Sequence, residues 1–220
     1  MATSTVEDYL KCVLQAEERR PGELVGMGQI GAALHVAPGT VTAMVKTLSE
    51  AGLVEYEPYA GVRLTAPGRQ LATHVLRRHR LIELFLVRVM GMSWSEVHAE
   101  AETLEHAVSA RLIERIDDML GYPSVDPHGD PIPDAQGVIE EPELVSLLSC
   151  ELGREVRVAR IGDQSPEFLE LVERRGFMPG SRVVVEGRDA AAETVTLALS
   201  DGGPVRLGRG AASKILVEQE

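Results

Sequence analysis

Residues 27–65 read MGQIGAALHVAPGTVTAMVKTLSEAGLVEYEPYAGVRLT, and the succession of signals in this stretch decides the fold. Met27, Ile30 and Leu34 recur at helical spacing and predict a short helix over Met27–Leu34. His35-Val36-Ala37-Pro38-Gly39 reads as a turn. A second helix follows, with Val41, Val45 and Leu48 facing inward and Gly52 as its stop signal. Residues 53–57 then read as a strand, Pro58-Tyr59-Ala60-Gly61 as a turn and Val62-Arg63-Leu64-Thr65 as a returning strand. Upstream, Val6, Tyr9, Leu10, Val13 and Leu14 mark a helix over residues 5–19. Helix, helix, turn, helix and hairpin is the order of a winged helix-turn-helix, whose third helix can enter the major groove. A small α+β domain whose hairpin only closes a core is the alternative.

Pro38 and Gly39 of the turn and Thr40, Thr42, Ala43 and Lys46 on the outward side of that third helix are candidate DNA contacts, with Thr47 on the same side. The two threonines suit phosphate or base edges. Lys46 suits phosphate, as do Arg63 on the hairpin and Arg69 just beyond it. The formal net charge is −12, which opposes nonspecific nucleic-acid binding by the chain as a whole. Through residue 75, however, six Lys and Arg stand against eight Asp and Glu, so most of the negative charge lies downstream. A chain of 220 residues is long enough for two or three domains. Its two widely spaced cysteines form no metal-binding pair and suit a reducing, cytoplasmic setting. No apolar run approaches the roughly 20 residues needed to span a bilayer, so no membrane association is expected.

Thr65 can cap a further helix that has Pro67 in its first turn. Residues 66–121 read as two or three long helices, interrupted at Gly91 and Ser93. Phe85, Leu86, Val89, Met90, Met92 and Trp94 form an apolar cluster that fits either a homodimer interface or an ordinary helix-pair core. Residues 122–143 read as a Pro, Gly and Asp-rich linker. Residues 155–161, 182–186, 194–199 and 215–217 read as strands, with a helix over 166–174 and a turn at Gly202-Gly203. They form a small β-barrel. The chain is therefore expected to be mainly α with small β parts, divided at about 1–72, 73–142 and 143–220.

The chemistry concentrates in the helical middle. His79 and Glu83 are four residues apart, as are His98 and Glu102, and Glu102, Glu105 and His106 follow at i, i+3, i+4. Each set shares a helix face. One such pair is more often a solvated surface than a ligand set, but three of them in one helical region point to a divalent cation. Carboxylate and imidazole donors without thiolate favour Mn2+ or Fe2+ over softer ions. His35, His74 and His128 lack such partners in sequence and read as structural or solvated.

Several stretches resemble the diphtheria-toxin-repressor and manganese-transport-regulator family. They are Thr5-Val6-Glu7-Asp8-Tyr9-Leu10, His79-Arg80-Leu81-Ile82-Glu83, Val97 to His106, and Gly129-Asp130-Pro131-Ile132-Pro133. The resemblance spans the whole chain. It implies a winged helix, a helical metal-binding and dimerisation domain, and a C-terminal SH3-like domain, in a cytoplasmic homodimer that binds operator DNA when metal is bound and represses metal-uptake genes. Carried over residue by residue, it implies a primary site of Asp8, Glu102, Glu105 and His106, and an ancillary site of His79, Glu83 and His98. Gln164 and Glu167 are the ligands the SH3-like domain would add. Lys11 departs from members that place a carboxylate there to build a binuclear pair, because a charged Lys cannot ligate. A metal-dependent hydrolase is the rival reading, for which the sequence offers no nucleophile motif, and a winged-helix sensor of an organic ligand is the third.

Overall fold

The computed structural model describes residues 3–199 and 203–218. The chain divides into two compact units. The first holds the residues up to His79 together with Glu105–Val108 and Pro133–Ile139. The second holds Arg80–Leu104, Ser109–Ile132 and the residues from Glu140 onward.

In the first unit, α1 (Ser4–Arg19), α2 (Met27–Ala33) and α3 (Pro38–Glu50) pack Leu10, Val13, Leu14, Ile30, Val41, Val45 and Leu48 into one core. Each of these side chains is almost fully removed from water, and each such burial stabilises by about 1.5–3 kcal/mol relative to exposure. The turn is shorter than the sequence suggests. Pro38 is already the first residue of α3, because its fixed φ and missing N–H suit that position, and the reversal is made at His35, whose φ is 55°. The hairpin of β1 (Val54–Glu57) and β2 (Gly61–Leu64) pairs Val54 with Leu64 and Glu57 with Gly61, and it leaves Tyr59 fully exposed at its tip. Val25 extends the hairpin on its other side by exchanging two backbone hydrogen bonds with Val62, of 2.9 and 3.0 Å. Thr65 caps α4 (Ala66–Arg88), its Oγ1 accepting the Gly68 N–H at 3.2 Å.

The second unit contains the end of α4, α5 (Trp94–Leu104), α6 (Ala110–Leu120) and the β domain. The strands are β3 (Val145–Ser146), β4 (Glu155–Ile161), β5 (Arg182–Asp189), β6 (Thr194–Leu199), β7 (Pro204–Gly208) and β8 (Ile215–Glu218). They form one antiparallel sheet in the order β3-β8-β4-β5-β6-β7. Alternation places Val156, Val158, Val183, Val185, Val195 and Leu197 inside, against Phe168, Leu169 and Val172 of α7 (Pro166–Arg175). The strand β7 was not evident in sequence, since it opens on Pro204 and only Leu207 is buried. The turn expected at Gly202-Gly203 begins outside the described residues.

The apolar cluster of residues 85–94 splits. Leu86 and Trp94 are buried, and Trp94 belongs to the core of the β domain, whereas Val89 and Met90 are exposed. Leu112 and Met119 of the strongly amphipathic α6 are exposed as well.

Between β4 and α7, Asp163 binds the Lys214 ammonium and accepts the Ser165 N–H at 2.9 Å, which together hold its carboxyl at about 2. A depressed folded value stabilises the fold above the unfolded pKa, near 3.9, and that contribution is lost as pH falls toward 2. Asp163→Asn is therefore expected to flatten the acid limb of a denaturation curve between pH 4 and 2 and to leave it unchanged near pH 7. An identical acid limb in the variant would remove this carboxylate from the account.

Candidate metal centre and DNA interface

Along α3, the apolar spacing turns one face into the core and leaves Pro38, Gly39, Thr40, Ala43, Lys46 and Thr47 exposed. Thr42 is half-buried and donates its hydroxyl to the Pro38 carbonyl at 2.9 Å, while Thr47 does the same to Ala43 at 3.2 Å. The exposed N-terminal end of this helix begins at Pro38, with the Thr40 N–H donated to the Ala37 carbonyl at 2.9 Å. Arg63 lies between Glu55 and Glu57 at 3.6 and 3.1 Å, and Arg69 is bonded to Glu17. Exposed ion pairs of this kind contribute little and exchange readily for a phosphate partner. Lys46→Ala is expected to weaken operator and nonspecific DNA alike and to lower the slope of log K against log salt by about 1. A loss confined to the operator would place Lys46 on base edges instead.

The first unit also builds a charged centre. Asp8 lies on α1, and Glu105 and His106 follow directly after α5 in sequence; donor atoms of the three lie within 4.8 Å of one another. His106 Nε2 is 2.8 Å from Asp8 Oδ1 and 3.3 Å from Glu105 Oε1, while its Nδ1 is 2.8 Å from Glu7 Oε2. Arg78 anchors Glu7 at 2.7 Å. Burial pushes the His106 imidazole down, but the carboxylates of Glu7, Glu105 and Asp8 outweigh it and raise its pKa. With Nδ1 given to Glu7, Nε2 faces Asp8 and Glu105, the orientation a ligating imidazole needs. Glu105 is fully buried. Its Oε2 accepts from His79 Nδ1 at 2.6 Å and its Oε1 from the Lys11 ammonium at 2.6 Å. Burial raises this carboxyl, and His79 and Lys11 more than compensate, holding it below its ordinary value.

The second unit builds another cluster. Glu83 Oε1 is 3.1 Å from His98 Nδ1, and its Oε2 is 4.0 Å from His128 Nδ1. Glu83, Asp126 and His128 are all buried, with donor atoms within 4.8 Å of one another. Burial raises the Asp126 carboxyl well above its ordinary value, reinforced by Asp130 and Glu83, although Arg80 lies 3.9 Å away. Asp126 Oδ1 accepts the N–H groups of His128 and Asp130 at 2.8 and 2.9 Å, and the Trp94 ring meets the His128 ring edge-on. Two buried carboxylates and an imidazole in van der Waals reach of one another suit a divalent cation.

Of the residues expected at the two sites, Asp8, Glu105 and His106 lie together in the first unit and Glu83 and His98 in the second, while His79, expected with Glu83 and His98, is bonded to Glu105. Glu102 lies 3.6 Å from His98 and is partly exposed. Gln164 is exposed and donates to Asp130 at 2.6 Å; Glu167 is exposed in the first turn of α7 and joins neither cluster. His128, read from sequence as structural or solvated, is buried, and the loop after α6 carries it and Asp126 to Glu83, a pairing without any sequence spacing. Glu7 and Lys11 were likewise not seen as partners of His106 and Glu105. The i, i+3 spacing of Asp8 and Lys11 on α1 was the available signal. Cys12 and Cys150 are buried in the two hydrophobic cores and are far from these donors in character.

Comparisons with known proteins agree along the whole chain. Residues 1–62 match the model of the iron dependent repressor N-terminal DNA binding domain, residues 65–134 that of the iron dependent repressor metal binding and dimerisation domain, and residues 145–219 the FeoA domain. The iron-dependent repressor IdeR of Mycobacterium tuberculosis is 33% identical over 205 residues, 88% of each chain. The transcriptional regulator MntR of Geobacillus kaustophilus is 35% identical over 122 residues, 56% of this chain and 84% of its own. Among solved structures, a manganese-dependent transcriptional repressor in complex with manganese superposes with a TM-score of 0.86 at 41% identity, covering 96% of this chain and 98% of that one. ScaR with bound Cd2+ superposes with a TM-score of 0.79 at 33% identity, covering 98% and 99%. With its winged helix, its helical domain and its SH3-like β domain, this chain belongs to the diphtheria-toxin-repressor and manganese-transport-regulator family, and it is a metal-dependent DNA-binding repressor.

Proposed function

We propose that Mn2+ is the metal that switches this repressor, bound at a regulatory centre of Asp8, Glu105 and His106 and at a second site of Glu83, Asp126 and His128 with His98 beside it. The observation that carries this reading is the meeting of Asp8, on the first helix of the winged helix, with Glu105 and His106, whose carboxylates and imidazole lie within 4.8 Å. Carboxylate and imidazole donors without sulfur suit Mn2+ better than softer ions, and Fe2+ is the second reading because one group of relatives is named iron-dependent. Glu102 is assigned to the regulatory centre by sequence resemblance, and the domain limits near residues 72 and 142 are part of the same proposal.

Asp8, Glu105 and His106 would hold the divalent ion, which would add positive charge between the two carboxylates. Asp8 then ties α1 to the Glu105–His106 segment, Glu7 holds His106 with Nε2 turned inward, and His79 holds the far oxygen of Glu105. Tighter metal binding in the DNA-competent arrangement than in others is what couples metal to DNA. The repressor acts in the cytoplasm as a homodimer, with the exposed Val89, Met90, Leu112 and Met119 of the second unit as its apolar contact.

The test is operator binding with chelator and then with Mn2+ or Fe2+ titrated anaerobically. Asp8→Ala is expected to raise the Mn2+ concentration for half-maximal operator binding at least tenfold while the fold, followed by circular dichroism, stays intact. Unchanged operator binding at limiting Mn2+ would reject this centre, and activation by Fe2+ at lower concentration than Mn2+ would favour the iron reading.

A further inference from the structure

We propose that Lys11 is a resident cation of the regulatory centre, one that competes with the metal ion for Glu105 and so sets the metal concentration at which the centre fills. This inference rests on the assignment of Asp8, Glu105 and His106 made above. Lysine is rarely buried unless paired, and Lys11 is 4% exposed. Its ammonium lies 2.6 Å from Glu105 Oε1. That same oxygen is the one 3.3 Å from His106 Nε2, on the side of Asp8. The other oxygen is taken by His79 at 2.6 Å. A cation shared by Asp8, Glu105 and His106 would meet Glu105 at Oε1, the oxygen that faces His106 and that Lys11 also holds, and it would sit within a few ångströms of that positive charge.

Two consequences point the same way. In the metal-free protein, Lys11 compensates a carboxylate that burial would otherwise leave costly, so the empty centre is stabilised. In the loaded centre, the ammonium repels the incoming charge in a medium of low dielectric. Both raise the metal concentration needed. Asp8 and Lys11 sit one turn apart on α1, so the ligand and its competitor come from the same helix face. An ion pair that only anchors Glu105 predicts the opposite sign, since its removal would loosen a ligand and weaken metal binding.

Full-length Lys11→Met and Lys11→Gln test the sign, with Mn2+ binding followed by calorimetry and by the signal of free Mn2+ in electron paramagnetic resonance. The binding event read is the one lost in Asp8→Ala. It is expected to tighten at least tenfold in both Lys11 variants. The melting temperature is expected to fall in chelator and to be restored by Mn2+, which also shows that the variants fold. Equal or weaker binding in both variants overturns the role given to Lys11 while the centre stands. If Asp8→Ala binds Mn2+ as the wild type does, the assignment of the centre falls and this inference with it.

Discussion

Glu105→Ala should abolish metal-dependent operator binding and also lower the stability of the metal-free protein by about 3–5 kcal/mol, the cost of breaking a buried ion pair by removing one partner. The reason is that Glu105 serves a cation and a ring at once, besides its place in the metal centre. Its side chain is fully buried, Lys11 holds one oxygen at 2.6 Å, and His79 holds the other at 2.6 Å. Truncation takes from the Lys11 ammonium, itself 4% exposed, the carboxylate that lies 2.6 Å from it. The two losses separate in a second variant. Glu105→Ala combined with Lys11→Met removes both charges and should regain most of the stability, because the double replacement leaves no uncompensated ion. It should regain none of the metal response, since the ligand is still missing. Urea denaturation in chelator and operator binding with added Mn2+ give the two readouts. A single variant as stable as the wild type would show that the pair contributes nothing to the fold.

The second large effect is expected at Gly129. A Cβ placed there would lie 1.9 Å from the Ala159 carbonyl oxygen and 2.9 Å from the Arg160 Cα, and the residue has φ of +88°. No side chain can yield to relieve that contact, since the obstacle is the backbone of β4. The neighbouring contacts show what the close approach achieves. The Ile161 N–H donates to the His128 carbonyl at 2.8 Å, Arg160 pairs with Asp130 at 3.5 Å, and Arg80 bonds the Pro131 carbonyl. His128, Gly129 and Asp130 thus lie against β4, and this docking holds His128 and Asp126 beside Glu83. Gly129→Ala should destabilise the protein by several kcal/mol, more than the ordinary range of single substitutions. It should also remove metal binding at Glu83, Asp126 and His128 while leaving the Asp8-dependent event in place. Wild-type stability in this variant would mean that the loop can lift from β4 at little cost.

These two sites mark the division between local and tertiary information. The winged helix, its recognition helix, the capping Thr65 and most strands follow from periods of 3.6 and 2 and from turn chemistry, which are properties of neighbours along the chain. Asp8, Glu105 and His106 were legible for a different reason: the family resemblance carried Asp8 to a histidine nearly a hundred residues away. His128 and Asp126 had no such signal. Spacing within a helix reveals a shared face, but a loop residue acquires partners only when the loop is docked, and the docking is decided by Gly129 against Ala159. The burial of Trp94 in the β domain was likewise settled by packing. Lys11 shows the limit most plainly. In the sequence it is a basic residue in a ligand's place, and only the folded chain, by burying it against Glu105, turns it into part of the centre.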